Sequence, residues 1–402
     1  MKPGRWGWKR CFQCAETIGS VFLIVFLVLD RMPLQAQDIQ VKIRWEQLPP
    51  LPPATGKIVQ PGLAGPVTGA HGNFVMVAGG ANFEDAPPWK GGTKKYHDIV
   101  YLLKKRGIGN YSWSQSEFRL PAPLAYSACV STPSGVVSAG GENERGQVSS
   151  VYMFSFKKGA VRMIELASLP FSLTASGAAT VGNYVYVAGG LSGTAASPAF
   201  LRLNSREGGT VLEKLPDLPV PISHAVVVSQ YDGTEQCIYV LGGRNKTGEV
   251  SEFFATVWKY SPSQETWTLD SQIKSGGEET VLSAGTGIPA GKNQIILFGG
   301  DANLFFNRTE KLVNAIEKTP DEMTKTRLIQ EKNSILDNHP GFTKSVLIYN
   351  TLSKEWVTAA EYEGYLPVTT TSFYWGSHIV TPTGEIRPGI RTPEILMFKM
   401  NL

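Results

Sequence analysis

The chain has 402 residues, of which 42 are glycine and 18% are charged, with a formal net charge of +4. High glycine with sparse charge fits a β-rich fold with many tight turns. Residues 1–36 carry +3 of that charge, from Lys2, Arg5, Lys9, Arg10 and Arg31 against Glu16 and Asp30. The near-neutral remainder excludes nucleic acid as an expected partner.

The chain opens with a basic stretch ending at Lys9-Arg10, an apolar core from Ile18 to Leu29, and Leu34-Gln35-Ala36. This is the pattern of a secretory signal peptide over residues 1–36, with a mature chain from Gln37. The core is short for a membrane span. The protein is therefore expected in the periplasm or secreted, with no membrane attachment after signal removal. An uncleaved signal anchor is the other reading. Cys11 and Cys14 fall in this segment, while Cys129 and Cys237 sit in apolar runs and are expected as buried free thiols.

From residue 37 onward, short apolar runs end in glycine pairs: Gly79-Gly80, Gly140-Gly141, Gly189-Gly190, Gly242-Gly243 and Gly299-Gly300. The spacing of the first four is that of kelch-type propeller blades. Each unit reads as four strands. A small-residue run comes first (125–130, 175–181, 223–228), then the run ending in the pair. An alternating strand follows, and then an outer strand that carries Trp113, Trp267 or Trp356. A sixth, altered unit has Thr383-Gly384 in place of the pair. Its last strand, 394–400, lacks an outer partner, and Trp45-Glu46-Gln47-Leu48 near the N-terminus matches the missing one. The expected fold is thus all-β: a six-bladed kelch-type β-propeller over 37–402, closed by the N-terminal strand.

Two connections are long, 81–97 and 301 to about 343. The second has helical signals, and a helical insertion is expected over about 303–340. Leu312 and Ile316 have helical spacing, and Thr319-Pro320-Asp321-Glu322 reads as an N-cap, a first-position Pro and a capping-box Glu. Both insertions lie between second and third strands, so both rise from one face. The residues after the glycine pairs ring the channel there: Asn82, Glu142, Asn143, Ser192, Arg244, Asn245, Asp301 and Glu385. Tyr126 and His224 come close from the first strands. Such a polar funnel is the expected ligand site.

The segment from Gly384 to Thr392 concentrates Glu385, Arg387 and Arg391. Pro388 and Gly389 can fold it back so that Glu385 and Arg391 face one ligand. A shielded Glu can act as general base or acid, and Arg offers a planar fork for a carboxylate. A salt bridge pinning an irregular loop is the competing reading. Glu142 is a second acid–base candidate or a satisfied loop carboxylate. Arg244 and Asn143 are candidates for binding hydroxyls or an acyl amide, and His224 for lining the channel. Trp89 either stacks on a sugar or packs on its own loop. None of the five histidines has metal-ligand spacing, so no metal is expected.

With these units and the terminal G-E-x-x-P-G-x-R-T segment, the chain resembles the N-acetylneuraminate epimerase family, the sialic acid mutarotases, over residues 41–402. The order of the blades resembles its cyclically permuted members, and the insertion with Phe306-Asn307 is similar to the family's own. The resemblance implies interconversion of the α and β anomers of N-acetylneuraminic acid without any cofactor. It puts the catalytic Glu at Glu385 and a substrate-binding Arg at Arg391, with a small sugar acid as the partner molecule; Arg387 is a further candidate for holding the sugar carboxylate. A homodimer is compatible with it. Other readings are a non-catalytic glycan- or protein-binding propeller, a kelch-type copper oxidase and a sialidase. The scattered histidines speak against the oxidase, and the absence of Asp-boxes against the sialidase.

Overall fold

The computed structural model describes residues 42–401 apart from 108, 158 and 206–210. Residues 1–36, expected from the sequence to be a signal segment and containing Cys11 and Cys14, lie outside the described residues. Six four-stranded antiparallel sheets follow one another round a ring. Blade 1 runs Val67–His71, Phe74–Ala78, Ile99–Gly107, Asn110–Arg119; blades 2 to 5 repeat the pattern as far as Trp356–Glu361. Blade 6 comprises Phe373–Trp375, His378–Arg387, Ile390–Asn401 and, as its outer strand, Lys42–Leu48. That last strand pairs antiparallel from Lys42 with Asn401 to Leu48 with Ile395, so the two ends of the chain close the ring as expected.

Each sheet is buried on both faces. Val75 and Val77 of blade 1 pack with Phe373 and Met397 of blade 6. Their neighbours Met76 and Ala78 pack with Val136 and Phe154 of blade 2. The same alternation builds one apolar cluster at each of the other blade interfaces. Second strands therefore read as unbroken apolar runs, because the side-chain period of two delivers residues to two cores. The third strands are less alternating than expected for the same reason: Val100 to Leu103 are all buried. Outer-strand tryptophans tie blades together by their indole N–H groups. Trp113 donates to the Pro49 carbonyl at 2.7 Å, Trp267 to Pro216 at 3.0 Å, and Trp356 to the Ser271 hydroxyl at 3.1 Å. Cys129 and Cys237 are buried free thiols.

The small-residue runs start their strands later than the sequence suggests. Blade 2 begins at Ala128 rather than 125, and blade 4 at Val226 rather than 223. The preceding residues form a different structure. Gly65, Tyr126, Ala175, His224, Ala284 and Thr369 occupy one equivalent position per blade, all in the left-handed region with φ between 53 and 60°. Their peptides link head to tail. The N–H of Tyr126 donates to Gly65, Ala175 to Tyr126, His224 to Ala175, Ala284 to His224, Thr369 to Ala284, and Gly65 to Thr369, at 2.6–3.0 Å. This closed ring of six hydrogen bonds encircles the channel, and five of its members, Tyr126, Ala175, His224, Ala284 and Thr369, line the site described below.

The second insertion carries two helices, α1 (Phe306–Lys318) and α2 (Glu322–Asp337), inside the expected span. The N-cap of α2 is Asp321, which accepts from the Thr324 N–H at 2.7 Å, two residues beyond the expected Thr319. Pro320 holds Thr319 extended as the C-cap of α1, and the Asp321 carboxylate takes the N-capping place of α2. Among the described residues no helix is long and apolar enough to cross a membrane.

Candidate active site

A second ring lies directly above the first. The residue before each left-handed position forms an isolated antiparallel bridge with the residue after each glycine pair. The bridged residues on the loop side are Ala81, Glu142, Leu191, Arg244, Asp301 and Glu385, one per blade. All but Ala81 line a cavity of about 270 Å³, together with Lys94, Tyr126, Thr174, His224, Phe306 and Pro388. The volume is near the low end for small-molecule sites. The chemistry of the site thus comes from one structurally equivalent position, varied blade by blade.

The same periodicity explains two departures. Asn82 and Asn143 follow the facing residues Ala81 and Glu142, and successive strand residues point to opposite sides. The Asn82 amide is buried. It donates to the Gly62 carbonyl at 3.0 Å, and its oxygen meets His97 Nε2 at 2.9 Å. Asn143 accepts from the Arg145 N–H at 2.9 Å in a local turn. Neither lines the cavity. Arg387 is also directed elsewhere and donates to the Asp337 carbonyl at the end of α2 at 3.4 Å.

In blade 6 the strand ladder places Glu385 opposite Arg391, so the two side chains meet on one face. Glu385 Oε1 accepts from the Gly389 N–H at 2.5 Å and lies 3.4 Å from Arg391 Nη1. The Arg391 side chain is 5% exposed and the Glu385 side chain 16%, which makes Glu385 the cavity-facing member. Arg391 lies behind it, with its guanidinium over the Phe83 ring at 4.8 Å and its Nε buried without a hydrogen-bond partner. Thr383 replaces the first glycine of the other blades and still adopts φ 42°, a strained conformation for a β-branched residue. Its hydroxyl is held by the Leu63 N–H at 2.8 Å and the Thr392 carbonyl at 2.6 Å.

Arg244 lines the cavity from blade 4. Its guanidinium stacks on Phe306 of α1 at 4.6 Å, donates to the Ser283 hydroxyl at 3.2 Å, and lies 3.3 Å from His224 Nε2. An arginine only donates, so Nε2 accepts and the His224 proton sits on Nδ1, 3.0 Å from the Ser223 hydroxyl. Burial, reinforced by the Arg244 charge, holds the His224 imidazole well below its ordinary range, so it is neutral. The direct partners of Arg244 are a hydroxyl, an imidazole and an aromatic face; its opposite charges, Asp301, Glu310 and Glu385, act on it only at longer range.

The Glu142 carboxylate has a different environment. It accepts from Lys94 Nζ at 2.9 Å and from the Tyr96 hydroxyl at 2.6 Å. Burial works to raise its carboxyl, and those two donors outweigh it, so Glu142 is held below the usual glutamate range. Lys94 also lies 4.5 Å over the Tyr126 ring. Sequence reading did not single out Lys94. It comes from the first insertion, whose strand Lys94–Tyr96 pairs back on Ala81–Phe83 and turns it toward the place that Ala81 leaves open. Trp89 of that insertion stacks on no ligand position. It lies against Gly389 and donates to Asp337 of α2 at 2.9 Å, where Lys90 also binds at 2.9 Å. The two insertions and the blade 6 loop therefore meet at Asp337. Among the described residues no group of three or more His, Cys, Asp or Glu is placed to hold a metal ion.

A family model described as N-acetylneuraminate epimerase matches residues 31–163 and 166–402. Among curated proteins, the N-acetylneuraminate epimerase of Salmonella enteritidis PT4 is 36% identical over 167 residues, 39% of this chain and 40% of the relative. That of Vibrio cholerae serotype O1 is 34% identical over 131 residues, 30% of this chain and 33% of the relative. That of Brucella melitensis biotype 1 is 36% identical over 121 residues, 27% and 30% respectively. These matches span 40% or less of the relatives' own length.

Proposed function

The chain belongs to the N-acetylneuraminate epimerase family, and from that premise we propose that its cavity interconverts the α and β anomers of N-acetylneuraminic acid. The observation that carries this reading is the presence of two unlike groups on the wall of one small cavity. Glu385 presents a carboxylate, and Arg244 presents a guanidinium that makes no direct ion pair among the described residues. A sugar acid brings what such a pair lacks, an anomeric hydroxyl for the carboxylate and a carboxylate for the arginine.

Mutarotation requires that the anomeric hydroxyl lose its proton while the ring oxygen gains one. The ring opens to the keto form, the chain rotates and the ring recloses. Glu385 takes the hydroxyl proton. The Gly389 N–H and Arg391 fix the carboxylate's orientation from behind, so it meets the substrate without reorganising. Arg244 binds the sugar carboxylate through the fork that Phe306 holds flat. Lys94 and Glu142 compensate each other and serve the sugar's hydroxyl or amide groups.

Glu385→Gln tests the assignment. The amide keeps the shape and still accepts from Gly389, so sugar binding should persist while the rate of anomer exchange falls about 100-fold to 10,000-fold. Exchange by this variant at the wild-type rate would remove Glu385 from the mechanism. Saturable binding by the wild type without exchange would make the chain a binding propeller instead.

A further inference from the structure

The anomer exchange proposed above leaves the ring oxygen without a named proton donor. Three carboxyl groups line the cavity: Glu142, Asp301 and Glu385. Glu142 already accepts from an ammonium and a phenol, which stabilise its charged form. Glu385 is turned toward a backbone N–H and a guanidinium. Asp301 differs from both. Its recorded hydrogen bond comes from one neutral donor, the Asn303 N–H at 2.8 Å, and no cation lies within ion-pair distance of it among the described residues. Asn303 is held for this contact in the left-handed region at φ 61°.

Asp301 also sits in the right place. It occupies in blade 5 the bridge position that Glu385 occupies in blade 6, so the two carboxyls come from adjacent blades onto the same funnel wall. Asp301 additionally borders a neighbouring cleft lined in part by Phe305, Phe306, Val313 and Leu336. The charged and titratable groups around it are Arg244 from blade 4, Glu385 from blade 6, and Lys246, Glu310 and His339 bordering that cleft. Burial pushes the Asp301 carboxyl above the usual aspartate range. Glu385 adds like-charge repulsion, and the Asn303 N–H and Arg244 oppose the shift without cancelling it. Neighbouring carboxyls in unlike environments are the arrangement that divides acid from base roles.

We propose that Asp301 is the general acid of the reaction, donating its proton to the ring oxygen while Glu385 removes the proton of the anomeric hydroxyl. The proposal rests on the anomer-exchange reading. In ring opening, the O–H electron pair of the anomeric hydroxyl becomes the second bond of the keto group. The bond from the anomeric carbon to the ring oxygen breaks, and its electron pair takes the Asp301 proton. After rotation, Asp301 as carboxylate takes that proton back from the hydroxyl as it attacks the carbonyl. Glu385 returns its proton to the carbonyl oxygen, and both groups regain their starting states.

The test measures anomer exchange of N-acetylneuraminic acid by NMR across pH for wild type, Asp301→Asn and Asp301→Glu. Asn keeps an oxygen for the Asn303 N–H, so the variant should melt near the wild-type temperature. The wild-type kcat/KM should be bell-shaped, with an alkaline limb from loss of the Asp301 proton. Asp301→Asn should lower kcat at least 100-fold with KM within threefold and remove that limb, and Asp301→Glu should restore part of the rate. Asp301→Asn exchanging within threefold of wild type, or a wild-type profile with no alkaline limb, overturns the proposal and leaves the function standing. A wild type that does not accelerate exchange removes the function and this role with it.

Discussion

His224 shows how one residue is committed by its surroundings. Its backbone belongs to the left-handed ring, its Nδ1 faces Ser223, and its Nε2 faces a permanent cation. Its folded-state pKa is depressed by burial, so the unfolded chain takes up a proton below about pH 6.5 that the folded chain does not. Stability from this group is therefore complete above that pH and declines as pH falls. Relative to His224→Gln, wild type should lose up to about 1.4 kcal/mol per pH unit below about pH 6.5. Equal pH slopes in urea unfolding of the two proteins would contradict the assignment of a neutral imidazole. Much at this scale was legible in the sequence, since Glu142, Arg244, Asp301 and Glu385 all follow glycine pairs or their substitute and do line the cavity. Asn82 and Asn143 were misplaced by a single residue, which in a strand is the difference between two faces. Lys94 escaped because its register depends on a hairpin inside an insertion, and no residue pattern shows where such a hairpin folds back.

At the scale of elements, the glycine pairs set how closely blades approach. Gly140 has φ 65°, and a Cβ there would stand 2.3 Å from the Leu173 carbonyl of the next blade's approach. The hairpin glycine Gly72 has a similar φ of 58° but open space around it. Gly140→Ala should therefore cost about 3 kcal/mol or more, combining backbone strain with a steric clash, and Gly72→Ala only the strain of about 1–2 kcal/mol. Denaturant midpoints read the difference, and equal costs would show that blade spacing does not depend on the pair. Blade 6 shows the converse, because Thr383 takes over the first glycine's conformation and is anchored by hydrogen bonds to Leu63 and Thr392. The sequence marked this blade as altered. The hydrogen-bonded ring below the site was not legible, because its six residues share a conformation and a position but no residue type.

The propeller formed by the described residues is a ring held shut by pairing of Lys42–Leu48 with Ile390–Asn401. Removing Lys42–Leu48 leaves the strand Ile390–Asn401 with an open edge and takes Leu48 from the blade 6–blade 1 core. A chain lacking residues 42–48 should lose its single cooperative melt and elute as soluble aggregates on size-exclusion chromatography. A monomer with an unchanged melt would mean that the other five interfaces suffice. Ring closure was foreseeable because the last unit lacked an outer strand and the first segment looked like one. The meeting of both insertions with the Glu385 loop at Asp337 was not, since long connections carry no signal of where they land. Closure and insertions together build a cavity lined by both Glu385 and Arg244, and we propose that this cavity exchanges the anomers of a sugar acid. The most direct test follows freshly released α-N-acetylneuraminic acid by proton NMR, with and without the folded protein. Conversion to the β anomer accelerated in proportion to protein concentration, and lost in Glu385→Gln, is the predicted result. Conversion at the spontaneous rate with folded wild-type protein would contradict it.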